Sequence, residues 1–148
     1  MTSRLATIAP DLDQTITQAA PATQRAIAIT AAEYAIQHTQ LTEPTVDAGL
    51  AAAQEGRFGE TRERTDVYAL AERLDEQQWA IQDRVDAGQA TEEEHLAAFS
   101  AARAATALYY ALDTDTPTAA LETVYEANAA TDELTELHDL VARTADQR

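Results

Sequence analysis

The chain has 148 residues and a formal net charge of −16, from 26 acidic side chains against 10 basic ones, all of which are arginine. A surface of this sign repels phosphates, which argues against a nucleic-acid or anionic-membrane partner and favours a basic protein partner. Cysteine is absent, so disulfides, thiolate metal ligands and a cysteine nucleophile are excluded.

Residues that favour helices dominate the sequence and predict an all-α fold. Hydrophobic residues make up 45% of the chain, many of them alanine, and only four glycines and four prolines interrupt the helix formers. We expect a single α-helical domain over residues 1–148, an irregular bundle or stacked hairpins of six to seven helices. No segment resembles a signal peptide or is apolar for long enough to span a bilayer, so we expect a cytoplasmic protein.

Prolines, threonines and glycines mark the helix boundaries in chain order. A proline suits the first turn of a helix, where its missing N–H is not needed, and a glycine suits the end. The predicted N-caps are Thr42, Thr91 and Thr116, of which Thr91 forms a capping box with Glu94. The predicted segments are a short helical lead at 3–20 and helices at 21–40, 44–55, 60–87, 91–112, 117–130 and 132–145.

Two of these helices are predicted to be central. The 91–112 helix is apolar almost all round after its first turn, and the 21–40 helix has apolar residues on two faces. Arg103 lies on the apolar side of the 91–112 helix, between Phe99 and Tyr110. Its guanidinium therefore needs an acidic partner or a route to water, and a site for an anion or another ligand is the alternative.

The 60–87 helix carries acidic residues on the same face as the single tryptophan, Trp79. Seven residues at helical spacings from one another share this face, which we call the acidic–aromatic stripe. The stripe consists of Tyr68, Glu72, Asp75, Glu76, Trp79, Asp83 and Asp86. Its neighbouring like charges each cost a helix about 0.2–0.5 kcal/mol, so the stripe does not serve local stability.

The stripe is the predicted partner-binding site. Tyrosine and tryptophan are enriched at interface hot spots, and acids around them favour arginine or lysine on the partner. The alternative is that Trp79 packs beneath a neighbouring helix while the acids project into water.

Signatures of catalysis and metal binding are sparse. The three histidines, His38, His95 and His138, lie on different predicted helices, and Glu92 with His95 forms one Glu-x-x-His element, which di-iron bundles carry twice. The sequence has no glycine-rich phosphate loop, nucleophile elbow or HExxH motif. We therefore predict no catalytic residue, metal or cofactor. The alternative is a helical enzyme that binds a metal or another ligand through the three histidines.

Three alanine-rich segments resemble small helical proteins of actinobacterial genomes. These segments are AAEYAIQHT (31–39), AARAATALYYALD (101–113) and AALETVYEANAA (119–130). Some of those proteins are grouped with immunity proteins of polymorphic toxin systems, which are commonly small, acidic and cytoplasmic and cover the active site of a basic toxin. The resemblance implies a non-enzymatic, toxin-neutralising immunity protein. A homo-oligomeric structural protein is a further alternative, and the acidity by itself also fits salt adaptation.

Overall fold

A computed structural model describes residues 2–147, and within that range the chain forms eight helices and no strand. The predicted all-α class is therefore confirmed. The helices are α1 (Arg4–Ile8), α2 (Pro10–Thr17), α3 (Pro21–Thr39), α4 (Pro44–Gln54), α5 (Arg62–Asp86), α6 (Glu92–Ala111), α7 (Thr116–Thr131) and α8 (Leu134–Asp146). No helix between residues 2 and 147 is both long enough and apolar enough to cross a membrane.

The predicted number of six to seven helices is wrong because the lead at 3–20 is two helices. The break falls at Ala9, whose backbone has φ −150° and ψ 73°. The ring of Pro10 crowds the preceding residue out of the helical region, and α2 then restarts with this proline in its first turn.

The predicted N-caps are right at one position of three. The side chain of Thr91 accepts from the backbone N–H of Glu94 and completes the predicted capping box at the start of α6. The prediction is wrong at the other two positions, because the N-cap of each helix lies one residue away from the predicted threonine. Glu43 occupies the N-cap position of α4, and the side chain of Asp115 caps α7. Proline follows each of these two threonines within two positions, and this spacing does not determine which residue is the cap.

One cluster of buried apolar side chains draws on all eight helices. Alanine is its commonest residue, and helices with such short side chains can approach one another closely. The central helices α3, α6 and α7 pack on one another, while α5 packs on α6 and α8 packs on α3. The predicted central positions of the 21–40 and 91–112 helices are confirmed, and α7 joins them.

The α5–α6 hairpin extends beyond this cluster. Its outer part, residues 75–101, adds no side chain to the cluster, and we call this part the distal arm. The arm reverses direction at Gly88, whose φ of +74° suits glycine. Inside the arm the buried side chain of Gln78 is linked to His95, with 2.9 Å between Oε1 and Nε2. The arm is therefore held by polar contacts as well as by its turn.

Candidate functional site

A pocket of about 390 Å³ lies where α5 meets α6, α7 and the N-terminal helix α1. Five of the seven stripe residues line it, because the turns of α5 bring residues three and four apart onto one face. The five are Tyr68, Glu72, Asp75, Glu76 and Trp79. The other side chains that matter to its chemistry are Arg4 of α1, Arg103, Tyr109 and Tyr110 of α6, and Glu126 of α7.

Both aromatic side chains of the stripe reach solvent. Tyr68 is 48% exposed and Trp79 is 60% exposed. Trp79 therefore does not pack beneath a neighbouring helix, which was the alternative from the sequence. The last two stripe residues, Asp83 and Asp86, are exposed on α5 but do not line the pocket, and Asp86 accepts a hydrogen bond from Gln82.

Two exposed carboxylates at the pocket have no ion pair among residues 2–147. These are Glu72 and Glu76, one turn apart on α5. Arg73 is three residues before Glu76, but its guanidinium instead contacts Glu43 on the other side of α5, with 3.0 Å between Nη2 and Oε1. The negative charge of Glu72 and Glu76 is therefore available to a bound cation.

Arg103 lies within a cluster of ion pairs that joins three helices. Its Nη2 is 2.6 Å from Asp75 Oδ2 of α5, and its Nη1 is 3.0 Å from Glu126 Oε2 of α7. Of the two possibilities that the sequence left for Arg103, an acidic partner or a route to water, the structure shows the first, with two carboxylates. The Nε–H of Arg103 is buried without a hydrogen-bond partner within residues 2–147. The two ion pairs must therefore offset the free-energy cost of burying this cation.

Glu126 connects Arg103 to the N-terminal helix. This carboxylate is only 2% exposed, and its second oxygen, Oε1, lies 3.0 Å from Nη2 of Arg4. Arg4 also pairs with Glu122. Partial burial lowers the pKa of Arg4, but the hydrogen bonds and charges of Glu122 and Glu126 outweigh it and raise the pKa. Arg4 and Arg103 therefore share three carboxylates, which leaves one negative charge in this cluster, and Glu72 and Glu76 add two more that have no ion pair among the described residues.

Tyrosine rings form the side of the pocket contributed by α6. The Tyr109 ring centroid lies 5.1 Å from that of Tyr68 and 5.5 Å from that of Tyr110. Arg64 covers the ring of Tyr109, with its Cζ 4.1 Å from the centroid. Burial raises the pKa of the Tyr110 phenol, which keeps this hydroxyl neutral. Ring faces and carboxylates together attract cations, so the arrangement is suited to binding a cationic group.

The structure does not bring the three histidines together as a metal site. His38 lies against the ring of Tyr34, and His95 is linked to Gln78, while His138 is half-buried on α8. No group of three or more histidine, aspartate or glutamate side chains in residues 2–147 could hold a metal ion.

The sequence missed the residues that close the pocket opposite the stripe. Arg4 and Glu126 are separated by 122 positions, and no local pattern connects them. Tyr109 and Tyr110 follow Arg103 on the same helix, and this combination of a cation with two rings is the local signal that could have found their side of the pocket.

Comparison of the chain with known protein families, with curated proteins and with solved structures gave no match.

Proposed function

We propose that the chain is a non-enzymatic protein-binding module of the cytoplasm that captures a basic protein through the acidic–aromatic stripe. An immunity protein that neutralises a basic toxin would use its surface in this way. The observation that carries the proposal is the 60% exposure of Trp79 beside carboxylates that have no ion pair among the described residues.

Exposing a tryptophan to water loses most of the free energy that its burial would give. A large aromatic side chain with a polar edge is also the type most often found at the centre of protein interfaces. Tyr68 adds a second exposed ring on the same face of α5. Together they offer a partner apolar area that folding has left uncovered.

The negative charge of the protein is the second observation that supports the proposal. A net charge of −16 attracts a basic protein from a distance and accelerates the encounter, and salt screens this attraction. Glu72 and Glu76 then place negative charge beside the exposed rings. A partner with basic and apolar groups on one surface would complement the stripe.

The test compares Trp79→Ala with Leu96→Ala. Both remove an exposed apolar side chain from the distal arm, and Leu96, at 62% exposure, lies outside the pocket. Binding of basic proteins encoded beside this gene is measured by calorimetry, and circular dichroism follows helicity. We expect Trp79→Ala to weaken binding by about 2 kcal/mol or more, because a central aromatic contact is lost. Leu96→Ala should bind like the unmodified chain.

Two results would contradict the proposal. Unfolding of the Trp79→Ala variant would make the tryptophan structural. Dimerisation of the chain through Trp79, strengthened by salt because like charges face one another, would make the stripe a self-interface.

A further inference from the structure

We infer that the pocket receives a single arginine side chain of the basic partner and selects its guanidinium over the ammonium of lysine. The inference rests on the proposed function, since it names the group that the stripe recognises. It is argued from the order of groups along α5, from the chain's own arginines and from the groups in the pocket that are still open.

The order of groups on α5 matches the shape of a guanidinium. Glu72, Glu76 and Trp79 line the pocket on successive turns of one helix face, so carboxylates and a ring face lie side by side. A guanidinium is planar and weakly hydrated, and its five N–H groups point outward in its own plane. It can therefore stack on a ring and donate sideways to carboxylates at the same time. A compact ammonium, which is strongly hydrated, has no such face.

The chain already uses this combination with its own arginines. Arg4 has its Cζ 4.2 Å from the ring centroid of Tyr125, while its Nε donates to Glu122 at 3.0 Å. Arg64 repeats the arrangement over Tyr109, and its Nη2 donates to Asp113 at 3.4 Å. In both cases one arginine occupies a ring face and a carboxylate together.

The pocket contains a further combination of this kind without an arginine. Trp79 is not among the rings covered by arginines of residues 2–147, and neither Glu72 nor Glu76 has an ion pair within that range. Arg103 also lines the pocket but is already held by Asp75 and Glu126. An incoming guanidinium would supply the missing cation.

The pocket is large enough to admit an arginine side chain. Its volume of about 390 Å³ lies near the lower end of the roughly 300–1,000 Å³ typical of ligand sites. Arg4 and Arg103 occupy the opposite side and are neutralised by their own carboxylates. The bound cation is therefore expected between Trp79 and the two free glutamates.

The experiment uses Trp79 as the reporter, because it is the single tryptophan. Its fluorescence is titrated with three blocked tripeptides, acetyl-Gly-Xaa-Gly-amide, where Xaa is arginine, lysine or citrulline. Citrulline has nearly the shape of arginine without its charge. We expect the arginine peptide to bind with a Kd at least roughly threefold below that of the lysine peptide, and the citrulline peptide to give no saturable change.

Two double variants distinguish the effect of charges inside the pocket from the effect of the protein's overall negative charge. Glu72→Gln/Glu76→Gln removes two charges inside the pocket, and Asp83→Asn/Asp86→Asn removes two charges of the same stripe outside it. The first should raise the Kd of the arginine peptide at least roughly threefold. The Asp83→Asn/Asp86→Asn variant should raise the Kd of the arginine peptide by less than half that factor, because it reduces only the long-range attraction.

The outcomes distinguish this inference from the proposed function. Equal affinities for arginine and lysine, or equal losses in the two double variants, overturn the inference while a partner that depends on Trp79 still upholds the function. Arginine-selective binding without any protein partner that depends on Trp79 overturns the proposed function instead.

Discussion

In α6, residues 102–111 are mostly buried against α3 and α7, whereas residues 92–101 of the same helix are half-buried or exposed in the distal arm. The inner half is rich in alanine, and helices pack closely around it. The outer half has no fully buried side chain and carries Leu96 at 62% exposure. One helix therefore serves two purposes, and the change occurs near Arg103, where the ion pairs to α5 and α7 are made.

This difference shows where a binding surface can be placed at low risk to stability. In the inner half any change of volume is felt, because protein interiors are close-packed. In the distal arm a side chain can be large, apolar and exposed without disturbing the core. Trp79 on α5 and Leu96 on α6 are both of this type.

The largest expected effect comes from making the same substitution in each half of α6. Leu108 is fully buried, so Leu108→Ala should lower the free energy of unfolding by about 3 kcal/mol through lost burial and the cavity left behind. Leu96→Ala should change it by less than about 0.5 kcal/mol. Urea unfolding followed by circular dichroism measures both. Similar losses of stability in the two variants would show that the distal arm is packed as tightly as the inner half of α6.

The next effect concerns the junction between the two halves. Arg103→Met removes both ion pairs and should cost about 2 kcal/mol, less than the ~3–5 kcal/mol for breaking a fully buried pair, because Glu126 keeps Arg4. The control is Arg62→Met, which breaks an exposed pair with Asp66 on α5 and should have no measurable effect. Urea unfolding compares the two. An unchanged stability of Arg103→Met would mean that this cluster does not couple the distal arm to the rest of the protein.

The smallest expected effect on the free energy of unfolding concerns Tyr34, on the surface where α3 meets α8. The Tyr34 hydroxyl donates to Glu136 at 2.7 Å, and burial together with this carboxylate raises the pKa of Tyr34 from 10.0 to about 12. Because the folded pKa is the higher one, the stabilisation is complete below pH 10 and is lost as the pH rises to about 12.

We therefore expect Tyr34→Phe to cost about 0.5–1 kcal/mol at neutral pH. This difference from the unmodified chain should shrink between pH 10 and about 12. Urea unfolding at a series of pH values checks it, and the other tyrosines, present in both proteins, cancel in the difference. A difference that stays constant with pH would mean that Tyr34 ionises equally easily in the folded and unfolded chains.

The sequence predicted the parts of this molecule that depend on local periodicity. Helical spacing placed Tyr68, Glu72 and Trp79 on one face, and the structure places them at one pocket. The capping signal at Thr91 was also sufficient to locate the start of α6. Both depend on residues within a few turns of one another, where the helix fixes the geometry.

The parts that it missed depend on distant contacts. Helical spacing also put Asp83 and Asp86 on the stripe, but the extent of the pocket is set by neighbouring helices, and both lie beyond it. Arg73 was within local reach of Glu76, yet its guanidinium pairs with Glu43 of another segment. Asp75 is likewise held by Arg103, 28 positions away. Such choices among partners are made by tertiary packing, which a single sequence does not display.

The contact between Arg4 and Glu126 has a consequence for when the pocket comes into being. These residues are 122 positions apart, so this contact closes a loop that spans most of the chain. A ribosome-bound chain lacking α7 has both stripe aromatics but neither Glu122 nor Glu126 to receive Arg4. The complete pocket thus requires α7, and a partner that needs it would not recognise a nascent chain that ends before this helix.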